Sequence, residues 1–218
     1  MAPLIRIDDY PTGIRPIPTD MALIHTILLK FETAQLPYYL GIVPAILTPQ
    51  MIHFLSQLKF MIPVLHGIDH QYPTLSKKLI KIGDPNNKKG KVSVQNEFKW
   101  HRLSTITSKL KYWKTWLETQ LHRPITTYIP PNNQINLKTL QALHTVGFTL
   151  CLCETIIPNS PIPMIDSDFY GFSNQFPKQG PEKKVITLHT NWEADLIQSG
   201  DTMSLDNLIA HLRLHYSI

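Results

Sequence analysis

Cysteine is nearly absent. Only Cys151 and Cys153 occur among 218 residues, both in one apolar run. With no second pair beside them, they read as small buried apolar groups on one strand face, not as a disulfide or a zinc knuckle. Long apolar runs are missing too. No stretch approaches the roughly 20 residues that cross a bilayer, so no transmembrane segment is expected. The N-terminus has no basic segment followed by an apolar one, so no signal peptide is expected either. A cytoplasmic location is the expectation, or else a chain trimmed of its leader. There is no internal repeat and no linker, and residues 1–218 read as a single domain. Acidic residues are in deficit: 16 Asp and Glu stand against 21 Lys and Arg, a formal net charge of +5. The surplus gathers at Lys77 to Lys91 and Lys99 to Lys114. It reads as a solvated lysine face or as a surface for an anionic polymer. No RNA- or DNA-binding motif accompanies it, so nucleic acid is not an expected partner.

What is present is an alternation of strands and helices. Leu4, Ile5 and Ile7 make a strand over residues 3–8 that runs into Asp8 and Asp9, before Pro11 and Gly13 turn the chain. Thr19 or Asp20 then caps a helix to about Ala34, with Leu23, Ile24, Ile27, Leu28 and Phe31 at the helical period. Tyr38 to Val43 is a strand. Thr48-Pro49 is a cap followed by proline at the first helical position. Met61 to Leu65 is a strand that delivers His66-Gly67-Ile68-Asp69-His70. A helix from about Thr105 carries a stripe of Leu110, Trp113, Leu117 and Leu121. Strands follow at Thr126 to Ile129, Phe148 to Cys153 and Val185 to Leu188. Helices follow at Leu137 to Val146, closed by Gly147, and at about 205–216 after Ser204. Residues 71–98 and 155–183 read as irregular. The alternation predicts a parallel α/β sheet with helices outside, either barrel or doubly wound. Asp8-Asp9, His66, Pro130-Pro131, Glu154 and His189 each follow a strand, and parallel strands gather such ends in one place.

Two adjacent carboxylates repel unless something positive sits beside them. On a strand, neighbouring side chains point apart, so Asp8 and Asp9 are free to do different work. Arg6, two residues before Asp8, points to the same side as Asp8. It reads as a partner for that acid or as an ordinary salt bridge at a barrel floor. His66 and His70 are four apart, a spacing that on a helix sets two imidazoles on one face, as in many zinc sites. One such pair also arises by chance among ten histidines. Together the acids and histidines offer a carboxylate and two imidazoles and leave a coordination position open, a catalytic rather than a structural arrangement.

Five segments, in order, resemble the polysaccharide deacetylase family, the NodB-like carbohydrate esterases, and most of all its divergent branch. Ile7-Asp8-Asp9 resembles the Asp-Asp motif, and His66-Gly67-Ile68-Asp69-His70 the His-x-x-x-His motif. Glu97-Phe98 resembles a segment of the divergent branch. Tyr128-Ile129-Pro130-Pro131-Asn132 sits where the family has an Arg-Pro-Pro-Tyr type segment, and Thr187-Leu188-His189 resembles the late Leu-His motif. The resemblance implies a distorted (β/α) barrel of about seven parallel strands. It also implies a metal-dependent hydrolase that removes an N-acetyl or similar acyl group from a sugar or glycan precursor. By this carry-over Asp9, His66 and His70 bind Zn2+, or another divalent metal such as Co2+ or Ni2+. Water activated by the metal attacks the amide carbonyl, with Asp8 as base and His189 as acid for the leaving amine. The metal and the backbone N–H of Asn132 hold the oxyanion, and Leu188 lines a pocket for the acyl methyl. Tyr10, Arg6, Glu97, Pro131 and Trp192 are the remaining candidates to touch substrate. The same site also reads as a hydrolase of non-sugar amides or formamides, or as a catalytically silent glycan-binding barrel.

The chain departs from the family pattern in three places. Ile129 replaces the arginine that pairs with the base, and Arg6 offers a substitute. Asn132 replaces the aromatic residue of the same motif. No counterpart of the family's Asp-x-x-Asp-x-Trp segment is present, and Glu154, Asp166 and Asp168 are the open alternatives for orienting His189.

Overall fold

The computed structural model describes residues 3–11, 21–69, 97–166, 169–176 and 185–215. Among them eight strands pair side by side: β1 Leu4–Tyr10, β2 Tyr38–Ile42, β3 Met61–His66, β4 Thr127–Ile129, β5 Leu150–Leu152, β6 Met164–Ile165, β7 Phe169–Tyr170 and β8 Val185–His189. Their order is β6-β5-β4-β3-β2-β1-β8-β7, and every neighbouring pair is parallel. The helices among the described residues are α1 Met21–Thr33, α2 Pro49–Gln57, α3 Leu103–Leu121, α4 Leu137–Val146, α5 Thr190–Gln198 and α6 Ser204–His215. No described helix is long and apolar enough to cross a membrane.

The sheet is curled. In a flat sheet β1 and β5 would lie four strand spacings apart, about 19 Å. Yet Nη1 of Arg6 on β1 donates to the carbonyl of Leu152 on β5 at 3.3 Å. No side chain bridges the flat distance, so the strands wrap into the distorted barrel that the family resemblance implied, and the doubly wound alternative falls away. Curling gives the sheet two faces. Outward, Ile5, Ile7, Ile42, Tyr128 and Leu188 join the helices in one large core. Inward, Val64, Ile129 and Leu152 form a separate small cluster with Leu4, Tyr39 and Leu150. Burial on both faces is why these strands read as nearly continuous apolar runs.

Local chemistry sets the boundaries. The Thr48 hydroxyl accepts the N–H of Met51 at 3.3 Å, and Pro49 opens α2. Gly147 closes α4 at φ +88°, where a Cβ would be strained. Cys151 and Cys153 are free and buried on the helix side of the sheet. β1 runs two residues beyond its predicted end, for a reason given below. α3 begins at Leu103, two residues early. β6 and β7 lie in the stretch read as irregular, being two residues each and too short to display a period. α5 follows β8 without a loop. His70, Asp168 and most of the irregular stretch 71–98 lie outside the described residues.

Candidate active site

The site begins with a defect in β1. Ile7 pairs with Leu40 and Tyr10 with Ile42, so three steps on β1 oppose two on β2. One extra residue is a β-bulge, and Asp9 occupies it with φ +67°. Aspartate is among the few residues that enter this left-handed region readily. The bulge cancels the alternation on which the sequence reading relied. Asp8 and Asp9 do not point apart but both face the barrel mouth, with Asp8 Oδ2 and Asp9 Oδ2 at 3.9 and 4.0 Å from Nε2 of His189. The Thr190 hydroxyl fixes the bulge by donating to the Asp9 carbonyl at 2.8 Å.

Asp8 is neutralised by its own strand. Arg6 Nε donates to Oδ1 at 2.8 Å and Nη2 to Oδ2 at 2.5 Å, a two-pronged charge-assisted pair. Nη2 also donates to Asn133 Oδ1 at 2.8 Å. Burial alone would raise the Asp8 pKa, but the Arg6 guanidinium, with the His66 and His189 rings, outweighs it and holds the carboxyl below its ordinary value. Arg6 is 1% exposed, so it belongs to Asp8 and is not a substrate contact. Gly41 on β2 makes the room. A Cβ there would stand 3.3 Å from both Asp8 Oδ1 and His66 Cβ.

His66 closes β3. Its Nδ1–H donates to the carbonyl of Ile129 at 3.1 Å, which leaves Nε2 facing Asp9 Oδ1 at 3.0 Å. Burial would lower the pKa of this ring, but the bond to Asp9 and the charges of both acids outweigh it and raise it. A buried imidazole oriented by a backbone carbonyl and aimed at a carboxylate is the donor set a divalent cation takes. Two donors of that set are in place. Among the described residues no three His, Cys, Asp or Glu side chains come together to hold a metal. His66 ends a strand and Gly67 turns the chain at φ +65°, so His66 itself stands on no helix.

His189 ends β8 opposite Asp8 in register. Trp192 stacks on it, with ring centroids 4.0 Å apart and 26° between planes. Burial lowers the His189 pKa, and the two acids only partly offset that. Neither Glu154 nor Asp166 orients the ring. Both are exposed, and the hydrogen bond that Nε2 makes is to the hydroxyl of Tyr170 at 3.0 Å.

The predicted rim is only partly a rim. Leu188 lies opposite Ile7 and packs in the helix-side core, because alternation turns it away from Thr187 and His189. It does not line an acyl pocket. Tyr10, shifted by the bulge, also turns outward and is bonded to His25 Nε2 at 3.1 Å. Glu97 lies beneath the turn after β3, where its carboxylate accepts the N–H of Ile68 at 3.0 Å and of Asp69 at 3.3 Å. Burial and the Asp69 charge push its pKa up to about 8. Pro131 packs against Gly67, so that a Cβ on the glycine would come within 2.5 Å of its ring. Asn132, half-buried at φ +51°, stays at the mouth. Asn133, Tyr170 and Thr190 were missed by sequence reasoning. The adjacent asparagines after two prolines are a signal for left-handed backbone; nothing comparable marks Tyr170.

The curled all-parallel barrel is of the NodB-like deacetylase type in fold. No protein-family model matches the chain, and no curated protein matches it in sequence. Solved structures do. A family 4 carbohydrate esterase from Streptomyces lividans, in complex with acetate, shares 11% identity over 99% of this chain and 88% of its own, with a TM-score of 0.55. The family 4 esterase domain of a xylanase from the hindgut metagenome of Trinervitermes trinervoides gives 12%, 97%, 82% and 0.56. A pseudoenzyme of the same family from Bacillus anthracis gives 8%, 98%, 60% and 0.54.

Proposed function

We propose that the protein is a metal-dependent hydrolase that removes an N-acetyl or similar acyl group from a sugar or glycan precursor. The observation that carries this reading is the convergence of Arg6-paired Asp8, the facing pair Asp9 and His66, and His189 at one end of the barrel. The likeness in fold to carbohydrate esterases supports it. Asp9 and His66, with His70, would hold the ion, and one carboxylate with two imidazoles suits Zn2+, with Co2+ or Ni2+ as substitutes. Such an ion, when bound, lowers the pKa of water and polarises a carbonyl. The chain's own residues do the rest. Asp8, kept ionised by Arg6, accepts the proton of the attacking water. His189 gives a proton to the departing amine nitrogen, and burial, by weakening its hold on that proton, makes the charged ring the stronger acid. Trp192 keeps bulk water from the imidazole, and Asn132 meets the sugar at the mouth.

The test is a panel of N-acetylated sugars, glycan oligomers, and small amides and formamides. Acetate or formate and free amine should appear, stop with chelator, and return on adding back Zn2+, Co2+ or Ni2+. Formate release from small amides alone would move the substrate class. No stoichiometric metal and no release on adding it would sink the hydrolase reading. That result would leave a silent glycan-binding barrel, which Ile129 and the pseudoenzyme among the similar folds favour.

A further inference from the structure

The two ring nitrogens of His189 are treated differently. Nδ1 is buried and has no hydrogen-bond partner among the described residues. Nε2 meets the Tyr170 hydroxyl at 3.0 Å. Trp192 fixes the plane of the ring by stacking, but stacking does not choose which nitrogen carries the proton. A buried N–H without an acceptor costs more than an unmet lone pair. The neutral ring therefore carries its proton on Nε2 and donates it to the Tyr170 oxygen.

Tyr170 is itself held in place. It pairs with Thr187 in the β7–β8 register, and the Gly171 N–H donates to the Thr187 carbonyl at 3.3 Å. Three residues on, the Ser173 N–H donates to the buried carboxylate of Glu193 on α5 at 2.8 Å. The Tyr170 ring meets the imidazole edge-on at 4.8 Å and Trp192 edge-on at 5.4 Å. The hydroxyl is thus fixed on the nitrogen that faces both acids.

We propose that Tyr170 is the positioning residue for His189: its oxygen accepts the Nε2–H of the resting neutral ring, fixes that resting tautomer and holds this nitrogen at the mouth, where among the described residues no carboxylate comes within hydrogen-bond distance of the ring. The kinetic consequence rests on the hydrolase reading; the tautomer does not. Tyr170→Phe keeps the ring contacts and removes only the hydroxyl. In the full-length protein, imidazole 15N NMR, with His189 assigned by a His189→Gln variant, should give the Nε2–H tautomer. In Tyr170→Phe both ring nitrogens should shift toward a tautomer mixture. A wild-type Nδ1–H tautomer, or identical ring shifts in the two proteins, overturns the assignment. On an acylated substrate, kcat of Tyr170→Phe should fall about tenfold or more with KM within about twofold; an unchanged kcat also overturns it. If the variant does not fold, the wild-type tautomer decides alone. If no substrate is turned over by any form, the NMR result still decides the role of Tyr170, and the failure falls on the hydrolase reading.

Discussion

Leu4 and Asp8 lie on one strand, four residues apart and on one side of the barrel, yet one sits in hydrocarbon and the other in a web of charge. The lower interior, with Val64, Ile129 and Leu152 at its centre, is held by volume. The upper interior, with Arg6, Asp8, Asp9, His66 and His189, is held by pairing. A packed apolar layer degrades gradually when trimmed, whereas a buried charge loses heavily when its one partner goes. Ile129 belongs to both. Its side chain fills the apolar half, while its carbonyl orients His66. The position where the resemblance calls for an arginine thus contributes packing and a backbone acceptor. The positive charge comes instead from below Asp8, on β1.

Four substitutions probe that boundary. The largest effect is expected from Asp8→Asn, which removes the proposed base from the upper half. Turnover of an acylated substrate should fall by about 10²–10⁴ per folded molecule, with a loss of stability as well because Arg6 stays buried without its counter-charge, and full activity per folded molecule would remove Asp8 from that role. Next comes Arg6→Met. It leaves Asp8 buried without a counter-charge, and urea denaturation should register a loss of about 3–5 kcal/mol. Leu152→Ala strikes the lower half and should cost about 2–5 kcal/mol by the same measurement, with activity per folded molecule retained. A comparable loss of turnover would mean that the two halves are not separable. The smallest effect is one of pH. The native pKa of Glu97 is raised from 4.5 to about 8, so its contribution is whole below pH 4.5 and is lost as pH rises through 8. Urea midpoints of the wild type should decline across that window more than those of Glu97→Gln.

Much of this architecture can be read from the chain. Acids and imidazoles at the ends of apolar runs predict a barrel mouth, because parallel strands leave their ends no other place to go. What cannot be read is direction. Two-residue alternation assigns every inward residue correctly on β8, where Thr187 and His189 face in and Leu188 faces out. It fails on β1, because one residue at positive φ resets the phase, and Asp-Asp-Tyr carries no mark of that. Tyr170 escapes for another reason. Its strand is two residues long, and its value lies in a contact with a ring 19 residues away.

The pairing of Arg6 with Asp8 spans two residues of chain, while its bond to Asn133 spans 127. A contact that closes no loop has almost no chain entropy to overcome. The acid therefore has a partner that needs only an extended β1 and does not depend on the arrival of β4. An arginine on β4 would leave Asp8 as a bare charge in the collapsing core until the barrel wrapped. Placing both charges on the first strand lets the barrel assemble around an ion pair already made.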